Sequence, residues 1–289
     1  MKLGVNALTA AFVVGVLSGL VLTQDGRDWL RRPTLMLGGS ANASATTDVQ
    51  RAPAPVAAPA PAVVPLADAS GLKARVAAGG LRIGVFGDSM GDGVWTALYR
   101  EFAADDVVTV TKFSEVSTGL SRYDYVNIQT KTTRQLDETP VDVAVVVFGT
   151  NDAQGIDDGG TIHAFGSDGW KAVYARRVDA LVALFRSRGA VVYWVGMPRM
   201  KRDSFDGRMA IINEVVAARM TALGVPYVDT VGLTSDAEGR YMPYADEGGR
   251  QRLMRANDGI HMSMTGYVRL AEPVEARIRA DAGLTPEAP

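Results

Sequence analysis

The chain has no cysteine and only two histidines among its 289 residues. The absence of cysteine excludes disulfides, thiolate-bound metals and a cysteine nucleophile. Two histidines make a catalytic metal centre hard to build, so we expect neither a metal nor another cofactor. Lysine plus arginine (30) nearly balances aspartate plus glutamate (32), which gives no electrostatic reason to expect nucleic acid as a partner.

The N-terminal part of the sequence predicts a membrane anchor followed by a tether. Residues 1–24 include the apolar run Leu3–Thr23, which is long enough to cross a bilayer core of about 30 Å as a helix. A cleaved signal peptide is the alternative, but no Ala-x-Ala motif follows the run. Residues 25–70 are the predicted linker, because Gly38–Ser70 is mostly alanine, proline, serine, threonine and valine and cannot bury enough apolar surface to fold. Residues 71–289 then form one predicted domain.

In that domain, short β-branched runs alternate with longer amphipathic stretches. The predicted strands are 81–86, 107–113, 141–148, 190–196 and 225–228, and the main predicted helices are 94–102, 170–188 and 206–223. Near-continuous apolar strands separated by helices indicate a parallel sheet that is covered on both faces, the α/β class. The stretch 229–257 is rich in glycine and charge and predicts a long loop with a short helix.

Polar residues and glycines follow three of the predicted strands. Gly87-Asp88-Ser89 follows the first strand, Gly119 follows the second after a short gap, and Gly149-Thr150-Asn151-Asp152 follows the third. Ligands of such sheets bind beyond the carboxyl ends of the strands, so we expect these positions to share one rim of the sheet.

A nucleophile, a base and a residue that orients the base are available in the sequence. Ser89 stands at a strand-to-helix junction, where a hydroxyl is exposed at the rim, although a helix cap is the alternative. His261 and Asp258 are three residues apart, so one short turn could bring both to Ser89. A structural histidine and a helix-capping aspartate are the alternatives. His163, the other histidine and the only rival base, lies in a polar, glycine-rich segment, which predicts a surface residue or at most a substrate contact.

Asn151 and Gly119 are candidate donors to an oxyanion. The Asn151 amide could face the negative charge that forms in acyl transfer, and one such donor is typically worth about 3–4 kcal/mol. The Gly119 N–H could be a second donor, because a glycine lets a substrate approach closely. A simple turn and an ordinary loop glycine are the respective alternatives.

Taken together, these segments resemble the SGNH hydrolase superfamily, the GDSL-type esterases and lipases. The matching blocks are Gly87-Asp88-Ser89-Met90, Gly119, Gly149-Thr150-Asn151-Asp152 and Asp258-Gly259-Ile260-His261. The resemblance implies a three-layer α/β/α sandwich with a parallel, flavodoxin-like sheet, and hydrolysis through an acyl-enzyme. It implies Ser89 as nucleophile, His261 as base and Asp258 as its orienter. The Ser89 N–H, the Gly119 N–H and the Asn151 side chain would form the oxyanion hole.

Three further residues at the same rim are predicted substrate contacts. Asp88 and Asp152 belong to the matching blocks, and Arg199 follows the fourth strand, on the side where an anionic or polyol substrate would bind. For Arg199 a surface salt bridge is the alternative.

More narrowly, the chain is similar to a branch of bacterial envelope proteins of unknown function. Ser117–Arg122, Tyr193–Pro198 and Arg255–His261 carry this similarity. It implies an inner-membrane anchor with the catalytic domain in the periplasm, against the weak charge bias around the anchor. We expect an esterase that removes acetyl or similar acyl groups from envelope glycans. A lipid or small-ester esterase or thioesterase, a glycan acyltransferase and a non-catalytic glycan-binding or assembly protein are the alternatives.

Overall fold

The computed structural model describes residues 70–284. The predicted anchor, the predicted linker up to residue 69 and the last five residues of the predicted domain lie outside this range. Among residues 70–284, no helix is both long enough and apolar enough to cross a membrane.

A parallel sheet of five strands forms the centre of the domain. Its strands are β1 (Leu81–Gly87), β2 (Val108–Lys112), β3 (Val143–Val147), β6 (Val191–Val195) and β7 (Tyr227–Val228), in the order β2-β1-β3-β6-β7. Val85 of β1 pairs with Lys112 on one side and with Val145 on the other. This is the flavodoxin-like strand order, which confirms the predicted fold class.

Within residues 70–284, six helices cover the sheet in two groups. They are α1 (Ser70–Ala77), α2 (Ser89–Glu101), α3 (Ile128–Glu138), α4 (Asp168–Ser187), α5 (Asp203–Leu223) and α6 (Met264–Ala282). Helices α1 and α2 pack on α6, while α4 packs on α3 and α5. The sheet between these groups has no solvent face, which explains why all five residues of β3 are buried instead of alternating with exposed ones.

Two antiparallel hairpins lie outside the central sheet. One joins β4 (Ile156–Asp158) to β5 (Thr161–His163), and the other joins β8 (Tyr244–Glu247) to β9 (Arg250–Leu253). The second hairpin and a 3-10 helix at Gly232–Thr234 occupy the segment that the sequence predicted as a long loop with a short helix. Every residue of β9 is exposed, so this strand lacks the alternation of apolar and polar residues that predicts strands.

Helix α2 begins five residues earlier than predicted. Its first turns contain Gly91 and Gly93, which have low helix propensity and obscure the pattern. Close packing requires Gly93, because a Cβ atom there would lie 2.1 Å from the ring of Tyr267 on α6. The early start makes Ser89 the first residue of the helix and directs the helix N-terminus toward the rim of the sheet.

Candidate active site

Ser89 is positioned by a tight turn between β1 and α2. Gly87 ends the strand, and a Cβ atom there would lie 2.2 Å from the Val147 carbonyl oxygen, so only glycine fits. Asp88 is the N-cap of the helix, and its carboxylate accepts a hydrogen bond from the Met90 N–H at 2.8 Å. Ser89 is half-buried, with its hydroxyl directed to His261.

His261 lies on a turn that follows strand β9. The turn is closed by an antiparallel bridge between Arg255 and Met262 and by a hydrogen bond from the Ala256 N–H to the His261 carbonyl at 2.9 Å. Asp258 stabilises the turn from within, because its Oδ1 accepts hydrogen bonds from the Ile260 N–H (2.9 Å) and the His261 N–H (3.0 Å).

The side chains of Ser89, His261 and Asp258 form one chain of hydrogen bonds. His261 Nε2 lies 2.8 Å from Ser89 Oγ, and His261 Nδ1 lies 2.6 Å from Asp258 Oδ2. A carboxylate accepts only, so we assign the ring proton to Nδ1, which leaves the Nε2 lone pair to accept the serine hydroxyl. Sequence separates Ser89 from the other two by about 170 positions, and the fold brings them together as the sequence pattern predicted.

Asp258 remains ionised in this arrangement. Partial burial raises the pKa of its carboxyl, but hydrogen bonds from the His261 ring, the Ile260 N–H and the His261 N–H outweigh burial and lower it to about 2. An anion at this position holds the imidazole in one tautomer and stabilises the imidazolium that forms when the base takes a proton.

The three predicted oxyanion donors lie on two loops and the turn before α2. Asn151 Nδ2 donates to the Thr118 carbonyl at 3.0 Å and lies 3.5 Å from Asp88 Oδ2, so its second amide hydrogen is only weakly held. Gly119 is buried. Within residues 70–284, neither its N–H nor the N–H of Ser89 donates a hydrogen bond. All three groups therefore keep a donor hydrogen that a developing oxyanion could accept.

Asp88 is not a substrate contact, which corrects the prediction from sequence. Its side chain is fully buried, and its Oδ2 accepts from the Thr150 hydroxyl (2.7 Å) and the Thr150 N–H (3.1 Å). Burial raises the pKa of the carboxyl to about 6, and the hydrogen bonds from Thr150, Met90 and Gly149 limit the rise. Asp88 instead links the Ser89 turn to the loop that carries Asn151.

Asp152 is corrected in the same way. Its carboxylate is fully buried and accepts hydrogen bonds from the Ser121 N–H (2.7 Å), the Ser121 hydroxyl (2.9 Å) and the Tyr174 hydroxyl (2.8 Å). A Cβ atom on Gly119 would lie 2.3 Å from Asp152 Oδ1, so this carboxylate packs directly against Gly119 and leaves no room for a side chain there. Burial raises the pKa of Asp152, and the hydrogen bonds oppose the rise.

Arg199 and His163 have partners away from the Ser89 hydroxyl. Arg199 Nη1 donates to Asp206 Oδ2 at 2.7 Å, which is the salt bridge that the sequence left as the alternative. His163 lies on β5, is half-buried and packs against Gly169, where a Cβ atom would meet its Nδ1 at 2.2 Å.

Two residues at this site were not predicted from sequence. Thr150 fixes Asp88 to the Asn151 loop, and its place inside the Gly-Thr-Asn-Asp block was the only available signal. Arg255 is buried beneath the Asp258–His261 turn, yet a lone arginine in a charged segment reads as a surface residue. Within the described range, no group of three or more histidine, aspartate or glutamate residues could hold a metal ion.

Comparison with known proteins identifies the family. The model of the family described as "Protein of unknown function (DUF459)" matches residues 82–277. The chain belongs to this family. No curated protein matches it in sequence.

Solved structures show that this family member has the SGNH hydrolase fold. A GDSL-like lipase from Bacteroides thetaiotaomicron VPI-5482 is similar with a TM-score of 0.50 at 14% identity, covering 74% of this chain and 98% of that chain. LAE5, an alpha/beta hydrolase enzyme from the metagenome of Lake Arreo, Spain, is similar with a TM-score of 0.50 at 14% identity, covering 71% of this chain and 96% of that chain.

Proposed function

We propose that the protein is a serine ester hydrolase that removes acetyl or similar acyl groups from cell-envelope glycans. The observation that carries the proposal is the pair of hydrogen bonds, 2.8 and 2.6 Å long, that join Ser89 to His261 and His261 to Asp258. A nucleophile bonded to a base that is oriented by a carboxylate is the arrangement that acyl transfer needs.

The first half of the proposed reaction forms an acyl-enzyme. Ser89 Oγ attacks the ester carbonyl carbon while its proton passes to His261 Nε2. The negative charge on the carbonyl oxygen is stabilised by the Ser89 N–H, the Gly119 N–H and the Asn151 amide. When the tetrahedral intermediate collapses, the C–O bond to the alcohol breaks and the His261 imidazolium returns its proton to the leaving alkoxide.

The second half releases the acyl group. His261 accepts a proton from water, the resulting hydroxide attacks the acyl carbon, and the ester bond to Ser89 Oγ breaks with return of the proton to the serine. Asp258 accepts the Nδ1 hydrogen throughout and stabilises the imidazolium in both halves.

A small cavity beside the hydrogen-bonded chain, with two cationic side chains in its wall, supports a hydroxyl-rich substrate. It has a volume of about 210 Å³ and is lined by Lys201, Arg202, Phe205 and the Asp258–Ile260 segment, together with Met200. Neither Lys201 nor Arg202 has a carboxylate partner among residues 70–284. Cationic side chains beside an aromatic ring favour a sugar polymer over the long apolar acyl chain of a lipid, which needs an apolar channel.

We further propose that the N-terminal segment, residues 1–24, anchors the protein in the bacterial inner membrane and that residues 71–289 act in the periplasm. An anchor followed by a proline-rich tether would hold the catalyst within reach of a polymer that cannot diffuse away. Protease treatment of spheroplasts tests this proposal, because the domain should be digested without breaking the membrane. A domain that is protected in intact spheroplasts contradicts it.

Hydrolysis of p-nitrophenyl acetate and butyrate by the full chain tests the esterase proposal, with Ser89→Ala as its matched variant. We expect turnover that is lost in Ser89→Ala, and acetate release from O-acetylated envelope polysaccharide in preference to fatty-acid release from phospholipid. Activity that survives in Ser89→Ala contradicts the assignment of the nucleophile. Fatty-acid release alone favours the lipid esterase, and acyl transfer only when a sugar acceptor is added favours the transferase.

A further inference from the structure

We propose that Arg255 is a positioning residue. Its buried guanidinium holds the Asp258–His261 turn in the geometry that the hydrogen bonds from Asp258 through His261 to Ser89 require. The inference rests on the proposed function, because the geometry of these hydrogen bonds affects activity only if His261 acts as a base. Within residues 70–284, Arg255 donates no hydrogen bond to the three side chains that carry the reaction, although the Asp258 carboxylate attracts its charge. It acts through the backbone that carries two of them.

The guanidinium lies directly beneath the turn. Its Nη2 atom donates to the Ile260 carbonyl at 2.9 Å and lies 3.4 Å from the Gly259 carbonyl. These two carbonyls belong to the residues between Asp258 and His261. Gly259 adopts a left-handed conformation (φ 70°), so the turn reverses sharply at the point where the arginine supports it.

Arg255 is itself fixed at both ends. Its backbone bridges Met262, the residue after His261, and its Cζ atom stacks over the Tyr241 ring at 5.0 Å. A cation over an aromatic face gains about 0.5–2 kcal/mol, more when it is desolvated. The side chain is therefore held between the Tyr241 ring and the turn.

Stability alone does not explain an arginine at this position. Its side chain is 1% exposed, and no carboxylate among residues 70–284 forms an ion pair with it. Two of its nitrogens, Nε and Nη1, are buried without a hydrogen-bond partner of ordinary geometry in that range. Burial lowers the pKa of the guanidinium, and its interactions with Tyr241 and Asp258 offset only part of that effect. Burying a cation in this way is costly, and an apolar side chain of similar length would be cheaper. What an apolar side chain could not supply is the hydrogen bonding to the Gly259 and Ile260 carbonyls.

Replacement of Arg255 by methionine separates positioning from stability. Arg255→Met keeps an unbranched side chain of similar length but removes every donor, so we expect a melting temperature equal to or above that of the wild type. We expect kcat for p-nitrophenyl acetate to fall 10- to 100-fold with KM changed less than threefold, because the substrate does not touch the arginine. Arg255→Lys keeps the charge but loses the planar guanidinium, so its kcat should lie between those of the wild type and Arg255→Met.

A spectroscopic readout tests the proposal without turnover. The Nδ1–H proton that His261 shares with Asp258 should give a strongly downfield signal in proton NMR. Since the chain has only two histidines, His163→Gln identifies it. We expect the signal in the wild type and its loss or upfield shift in Arg255→Met. This result would hold even if the full chain proved to have no esterase activity.

Arg279→Met is the matched control. Arg279, on α6, is another buried arginine that stacks on an aromatic ring, Phe102 at 4.5 Å. Unlike Arg255, it forms ion pairs, one with Glu275 on the same helix and one with Asp105 in the segment between α2 and β2. This variant should lower stability and leave the Nδ1–H signal in place. The proposal is overturned if folded Arg255→Met keeps both the signal and kcat within twofold, or loses activity while the signal is unchanged. If Arg255→Met does not fold, Arg255→Lys decides by the same two measurements.

Discussion

Gly119→Ala perturbs the candidate oxyanion hole without touching the serine relay. The added Cβ atom would lie 2.3 Å from Asp152 Oδ1, whereas ordinary contacts begin near 3.4 Å. Either residue 119 or the Asp152 carboxylate must therefore move by about 1 Å. Asp152 is held by hydrogen bonds from the Ser121 N–H (2.7 Å) and the Tyr174 hydroxyl (2.8 Å). The loop that carries residue 119 is therefore the part that shifts.

The expected effects of Gly119→Ala on stability and activity follow from this displacement. Overpacking of a buried site costs about 1–3 kcal/mol of unfolding free energy, which lowers the melting temperature of a domain of this size by about 2–12 °C. Moving a preorganised N–H donor by about 1 Å costs about 100-fold in rate. We expect kcat for p-nitrophenyl acetate to fall by that factor in a variant that remains folded at 25 °C.

Gly207→Ala is the control for the effect of adding a methyl group. Gly207 lies in α5 with no atom within 4 Å of the new Cβ position, so alanine should raise stability by about 0.5–1 kcal/mol and leave activity unchanged. Unchanged activity and melting temperature in Gly119→Ala would refute the reasoning, because they would mean that the glycine does not rest on Asp152.

Three further predictions concern the residues around the site. Thr150→Val removes a charge-assisted hydrogen bond of 2.7 Å to Asp88, and urea unfolding should show a loss of about 1.5–3 kcal/mol with a lower kcat; an unchanged kcat would deny the link to Asn151. Burial raises the pKa of Asp88 to about 6, so its stabilising contribution is full below about pH 4 and is lost as the pH rises through 6. Between pH 4.5 and 7 the unfolding free energy of the wild type should fall by about 2 kcal/mol more than that of Asp88→Asn, and parallel curves would contradict this. The double change Lys201→Ala and Arg202→Ala should raise KM for an anionic acetylated polysaccharide severalfold and leave p-nitrophenyl acetate hydrolysis unchanged; equal effects on both would remove the cavity from the substrate path.

The sequence predicted the buried core of the fold better than its margins. The run around Val143–Val147 and the amphipathic helix that became α4 carry strong signals, because burial on both faces or on one face constrains every residue. Helix α3 was not predicted, since it buries only Ile128, Thr132 and Leu136 and is otherwise polar. The exposed strand β9 carries no apolar pattern at all.

The site shows the same division between residues that carry a motif and residues that act through contacts. Ser89, Asp258 and His261 could be brought together from sequence because strand ends and a short turn restrict where they lie. The burial of Asp88 and Asp152 could not, since a carboxylate at a rim is ordinarily exposed and only the fold supplies their hydrogen-bond donors. Arg255 begins a segment that carried the family similarity, but its role gave no signal, because its partners are backbone carbonyls, which every residue has.

The most direct test of the central claim is intact-mass spectrometry of the full chain after treatment with a reactive alkyl phosphonate ester. A serine activated by a bonded imidazole attacks phosphorus and keeps the phosphonyl group, whereas an ordinary surface serine does not. We predict one adduct, mapped to Ser89 by peptide sequencing, absent in Ser89→Ala and strongly slowed in His261→Ala. Labelling at another residue, or labelling of Ser89 at the same rate in His261→Ala, would contradict the account.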